Sequence, residues 1–188
     1  AEVTAKSKFA PFGKVIDNIG IENSDAWALI LCNLTYTSEF NWWVKNIDFS
    51  TTHTPDTIYA MLDDSMSKNS RSHIVSAYKN ILISIPQLSN EIGLGVCDYT
   101  LKNGKRFWNS VVRIPWENPN PLLILYSLYK FAEACGDYHQ FTLSRLLNHD
   151  LESDGVSPTE IFGLDRNQME KILNGLTINY PDFLNASF

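Results

Sequence analysis

The chain is poor in cysteine, in clustered glycine and in positive charge. Three cysteines occur, Cys32, Cys97 and Cys135. Their odd number and wide spacing exclude a disulfide framework and a four-thiolate metal site. Sparse free thiols suit a reducing cytoplasm, which is the expected location. The glycines form no phosphate-cradling run. "IGLGV" (92–96) has two glycines ahead of a predicted strand and reads as a helix cap. No Gly-Lys-Ser/Thr loop occurs, and no G-x-S-x-G elbow. No apolar run approaches a membrane span. The longest stretch, "PLLILYSLYKFAEA", is interrupted by Ser127, Lys130 and Glu133, so no membrane contact is expected.

The formal net charge is −6. Proteins that bind nucleic acid unaided are usually basic, because phosphate neutralisation supplies much of their affinity. The whole surface therefore does not suit that role, but a local basic patch is still open. Metal binding needs converging His, Cys and carboxylates. The best candidates are Cys135, Asp137, His139, His149 and Asp150. Gly136 breaks the helix between Cys135 and His139. A helix-end cysteine and surface histidines is the plainer reading, and no metal or other cofactor is expected. The adjacent Asp63 and Asp64 fall near a predicted helix C-terminus, where the helix dipole disfavours negative charge. They read as a solvated face.

Apolar and aromatic residues are plentiful. Hydrophobic residues make up 44% of 188, with 5 Trp, 8 Tyr and 10 Phe, enough for a well-packed core. Helical periodicity with capping signals recurs along the first 85 residues. Examples are "SDAWALILCNL" after a Ser24 or Asp25 cap, "SEFNWWVKNI" after Ser38, and "TPDTIYAML" after Thr54. The rhythm then changes. "CDYTLKNGKRFWNSVVRI" is rich in Thr, Val, Tyr, Phe and Trp around Asn103-Gly104, a strong hairpin signal. Strands are predicted at about 97–102 and 105–114. The C-terminal part returns to helix: 121–135, then 142–149 after Thr142, "SPTEIFG" with a capping box from Ser157 to Glu160, and 165–174 after Asp165. "YPDFLNASF" reads as a strand in progress. With no initiator Met, the chain is expected to be a fragment of a longer polypeptide.

The predicted fold is mainly α (α+β): a helical bundle with one β-hairpin and a winged-helix-like C-terminal unit. A soft boundary falls at "WENPNP" (116–121), giving regions 1–118 and 119–188, or one continuous domain. The first carries net charge −1 and the second −5. In the winged-helix arrangement, 165–174 is the third, would-be recognition helix. It offers Arg166 and Lys171, but Asp165 and Glu170 cancel them. The hairpin "KNGKR" offers Lys102, Lys105, Arg106 and, farther along, Arg113. A basic β-ribbon can lie along a phosphate backbone. The alternative is an exposed turn whose charges protect a sheet edge. The candidate nucleic-acid contacts are thus Lys102, Lys105, Arg106, Arg113, Arg166 and Lys171.

Residues 124–188, "ILYSLYKFAEACGDYHQFTLSRLLNHDLESDGVSPTEIFGLDRNQMEKILNGLTINYPDFLNASF", resemble the C-terminal region of bacterial proteins of the phosphoadenosine phosphosulfate (PAPS) reductase family. The members in question lie beside DNA-modification and phage-defence genes. "FAPFGKVI", "DAWALILCNLTY" and "HIVSAYKNILI" resemble the same region. The catalytic half of that family carries a Ser-Gly-Gly-x-Asp-Ser nucleotide loop, which is not found in this sequence. The resemblance therefore implies a noncatalytic accessory part of a PAPS-reductase-like parent. Its implied partners are the parent's catalytic domain and duplex DNA. A free-standing winged-helix DNA-binding module and a structural oligomerisation domain are the alternatives.

Overall fold

The computed structural model describes residues 11–85, 91–137, 140–148 and 154–187. Five helices come first: α1 (Pro11–Ile19), α2 (Ser24–Leu34), α3 (Ser38–Asn46), α4 (Pro55–Met61) and α5 (Lys68–Ser84). A two-residue strand, β1 (Thr52–His53), lies between α3 and α4. The hairpin follows as β2 (Val96–Lys102) and β3 (Lys105–Val112). Helices α6 (Pro121–Ala134), α7 (Leu143–Leu147), α8 (Pro158–Phe162) and α9 (Arg166–Asn179) complete the described elements. The fold is mixed α+β and mainly α, as expected.

The sheet has three antiparallel strands in the order β1-β3-β2. Its third strand, β1, was not foreseen. Two residues are too few to show an alternating pattern, and β1 forms only by pairing Thr52 and His53 with Val112 and Val111. The predicted hairpin is present. Asn103 (φ 51°) and Gly104 (φ 74°) both take left-handed backbone, as a type I′ turn requires.

Several helix starts follow from their caps. Thr54, Ser157 and Asp165 each close a reciprocal capping box, with Thr57, Glu160 and Gln168. Pro55, Pro121 and Pro158 occupy first turns, where a missing N–H costs nothing. Two caps differ from expectation: Asn23 caps α2 in place of Ser24 or Asp25, and Thr37 precedes α3. Ahead of the hairpin, residues 87–90 lie outside the described residues, and 91–95, where a helix cap is expected, form a turn and bends.

One apolar core joins the two parts of the chain. Trp43, Ile47, Ile58, Ile92, Ile124, Phe162, Met169 and Leu176 all belong to it, and each is at least 98% buried. The Trp43 indole N–H donates to the Leu94 carbonyl at 3.0 Å. The Trp116 ring packs on Phe162, centroids 5.3 Å apart, just where the soft boundary was drawn.

The C-terminal end departs from expectation. Helix α9 runs on through Gly175 to Asn179, because its buried row Met169, Ile172, Leu173 and Leu176 outweighs one glycine. Residues 180–187 contain a turn and no strand. The Tyr180 carbonyl accepts from the amides of Phe183 and Leu184, and the Ala186 amide donates to Thr177 Oγ1 at 3.1 Å. The end expected to be a strand instead folds back along α9. No helix among the described residues is long and apolar enough to cross a membrane.

Candidate nucleic-acid interface

The β2–β3 register fixes the chemistry of the hairpin. Lys102 pairs with Lys105, Leu101 with Arg106, Thr100 with Phe107, and Tyr99 with Trp108. Directly paired residues share a face, and alternate pairs switch face. Lys102, Lys105, Thr100 and Phe107 therefore stand on one face. Leu101, Arg106, Tyr99 and Trp108 stand on the other. The register shifts between Asp98 and Tyr99, a bulge that bends the ribbon at its base.

The first face is open. Lys102, Lys105 and Thr100 are exposed, and Phe107 keeps 49% of its surface in solvent. The Lys102 ammonium lies 5.9 Å from the Phe107 ring centroid. Farther from the tip, the Asn109 amide donates to Asp98 Oδ2 (3.0 Å) and to Thr100 Oγ1 (2.8 Å). Asp98 is the acidic limit of this face.

The second face leans on α5. Arg106 donates to the Ile83 carbonyl at 3.3 Å, and its guanidinium lies 5.1 Å from the Tyr99 ring centroid. Trp108 is buried, while Leu101 is 65% exposed. The three tip cations are thus divided: two lysines on one side, Arg106 on the other.

Arg113 does not belong to the basic surface. It is 1% exposed and lies just past β3, in the core. All five of its N–H donors are taken by backbone carbonyls. Nε donates to Gly93, Nη1 to Val44 and Ile47, and Nη2 to Glu160 and Ile161, each at 2.8–2.9 Å. The Val44 and Ile47 carbonyls lie at the end of α3; those of Glu160 and Ile161 lie in the last turn of α8. Helix ends leave such carbonyls unpaired, so the guanidinium fork serves both. The Phe49 ring covers its face at 3.9 Å. Burial pushes the guanidinium down to about 9, while Asp48 and Glu160 pull it back up. It is still charged at neutral pH. Its sequence position suggested a basic strand end; burial makes it a clamp.

The cations of α9 are dispersed. Arg166 pairs with Glu170 at 3.3 Å, an exposed i,i+4 contact. Lys171 lines a groove of about 710 Å³ with Glu117, Asn120, Gln168 and Tyr180. A larger groove, about 890 Å³, is lined by Leu125, Tyr129, Phe141, Leu146, Leu173 and Phe183, among others. The Tyr129 hydroxyl donates to the Phe183 carbonyl at 2.8 Å and ties the C-terminal turn to α6.

The remaining candidates are structural. Asp63 accepts from the Ser65 amide at 2.8 Å, and Asp64 pairs with Arg71 at 2.7 Å. They shape the turn between α4 and α5. Of the candidate metal set, His139, His149 and Asp150 lie outside the described residues. Among the described residues, no group of three His, Cys, Asp or Glu side chains is placed to hold a metal. Cys32, Cys97 and Cys135 form no disulfide. Burial pushes the Cys32 and Cys97 thiols up to about 12, which keeps both protonated.

No protein-family model, curated protein or solved structure matches this chain.

Proposed function

We propose that this chain is a noncatalytic accessory module that docks DNA through its β2–β3 hairpin for a catalytic domain elsewhere in a PAPS-reductase-like parent protein. The observation that carries this is the hairpin tip. Residues 99–107 hold Lys102, Lys105 and Arg106 and no acidic residue, on a chain of net charge −6. The tip also exposes Tyr99, Leu101 and Phe107, and a projecting basic ribbon suits a phosphate backbone. The resemblance over residues 124–188, without the family's nucleotide loop, supports an accessory role.

Helices α6 to α9 make up the C-terminal part of the chain. In this proposal they form the platform and do not read the bases. The test is the DNA affinity of the chain at rising salt. Binding that weakens with salt, and weakens further when Lys102 and Lys105 become Gln, supports it. Salt-independent binding, or binding unchanged by both substitutions, contradicts it.

A second reading, a structural oligomerisation module, is favoured by one observation. Tyr129, Ile178 and Phe183 are 47%, 77% and 61% exposed along α6, α9 and the turn after α9. It requires a dimer or higher assembly by light scattering, dispersed by Ile178→Lys.

A further inference from the structure

The Lys102–Lys105 pair is the least satisfied feature of the hairpin. The two residues pair directly across the type I′ turn, and the Lys102 ammonium lies 5.9 Å from the Phe107 ring centroid. Like charges in that position repel. Neither takes part in an ion pair among the described residues. The next pair on the same face is Thr100 with Phe107, whose ring is half in solvent. A rise of about 3.4 Å per residue places the two pairs roughly 7 Å apart along the ribbon. One nucleotide, with its phosphate at the lysines, reaches the ring with its base.

We infer that this face binds single-stranded nucleic acid, with a phosphate between Lys102 and Lys105 and an unpaired base stacked on Phe107. The inference rests on the hairpin being the docking element and names the form of nucleic acid it takes.

Three considerations select this occupant. A phosphate relieves the lysine repulsion, which an apolar partner cannot do. A phosphate gives Phe107 nothing, whereas a base face covers the ring and removes its apolar surface from water. In a duplex the base faces are already stacked on one another, so the ring would meet only sugar and phosphate. Asp98, held by Asn109 at the far end of the face, repels a second phosphate and limits the contact to about one nucleotide. The opposite face cannot take the same role, because Arg106 already covers Tyr99 and donates to the Ile83 carbonyl.

The experiment uses fluorescence anisotropy on the whole chain with three labelled probes of equal length. They are single-stranded oligo(dT), an abasic strand that keeps the phosphates, and a matched duplex. Oligo(dT) should bind about tenfold more tightly than the abasic strand, the scale of one stacked base. Phe107→Leu keeps apolar bulk without an aromatic face, and should bring oligo(dT) down to the abasic level. Lys102→Gln with Lys105→Gln should weaken every probe and flatten the salt dependence by roughly 0.7 in log–log slope, one phosphate's worth. Equal affinity for all three probes, unmoved by Phe107→Leu, would overturn the single-strand inference and leave hairpin docking intact. Binding to no nucleic acid, or to phosphatidylserine vesicles in its place, would overturn both.

Discussion

The Arg113 guanidinium lies 3.9 Å from the centre of the Phe49 ring, and that ring fills the space beside Gly93 and Gly163. Around this contact the end of α3, the turn before β2 and the last turn of α8 meet. Arg113 donates to carbonyls in all three. The node holds together the parts of the chain that carry the hairpin.

Arg113→Met should be strongly destabilising. It leaves carbonyls from Gly93, Val44, Ile47, Glu160 and Ile161 without their donor. Each buried carbonyl left without its donor costs about 1–3 kcal/mol, so the total should exceed about 3 kcal/mol. Arg113→Lys should recover only part, since one ammonium has three donors and no planar fork. Urea denaturation measures both. A loss under about 1 kcal/mol for Arg113→Met would remove the clamp from the account.

Gly163→Ala tests the other side of the node. Gly163 closes α8 with left-handed backbone at φ 74°. A Cβ there would lie 2.7–2.9 Å from atoms of the Phe49 ring. Strain and overpacking together should cost roughly 2–4 kcal/mol. Phe49→Leu in the same chain should be less than additive with Gly163→Ala, because it removes the clashing ring. Strict additivity of the two unfolding energies would show that they do not share the contact.

Stability should fall in alkali. Burial raises Cys32, Cys97 and Tyr36 to about 12, and Tyr78 is raised further for the same reason. As pH rises above 9 the unfolded chain loses these protons first, so the folded state is penalised until its own groups ionise. Their contribution is complete below pH 9 and lost towards pH 12. Arg113 acts in the opposite sense: its lowered value makes the unfolded state bind the extra proton between about 9 and its ordinary range. Four groups oppose one, so the net slope is downward. Cys97→Ala should make the decline shallower between pH 9 and 12. An unchanged slope in pH-dependent unfolding would count against a buried Cys97 thiol.

The α9 cations should be dispensable for binding. Arg166 is paired with Glu170, and Lys171 shares its groove with Glu117. Arg166→Gln with Lys171→Gln should leave DNA affinity within about twofold, the scale expected for surface changes. A large loss would move the interface from the hairpin to α9.

Local signals were legible in the sequence where one residue type does one job. Asn103-Gly104 marked the turn, and the Thr54, Ser157 and Asp165 caps marked three helix starts. The α9 row was clear because polar residues separate its apolar positions. Helix α6 was not clear. Nearly all its residues are apolar, so periodicity selects no face; Leu122 and Tyr129 are about half exposed, while Ser127 is fully buried. Arg113 was misplaced for a related reason. A strand-end arginine looks the same whether it faces water or five carbonyls, and those carbonyls come from residues far away in sequence. The split of Arg106 from the lysines follows from strand alternation alone and could have been read from Asn103-Gly104. The exposure of Phe107 beside them depended on the bulge at Asp98 and on packing against α5, which no local pattern encodes.

The proposed docking site for nucleic acid is the hairpin. The most direct measurement is an amide chemical-shift titration of the labelled chain with oligo(dT). Saturable shifts should centre on residues 99–107, with Lys102, Lys105 and Phe107 moving most and α9 still. Shifts centred on α9, or none that saturate, would contradict it.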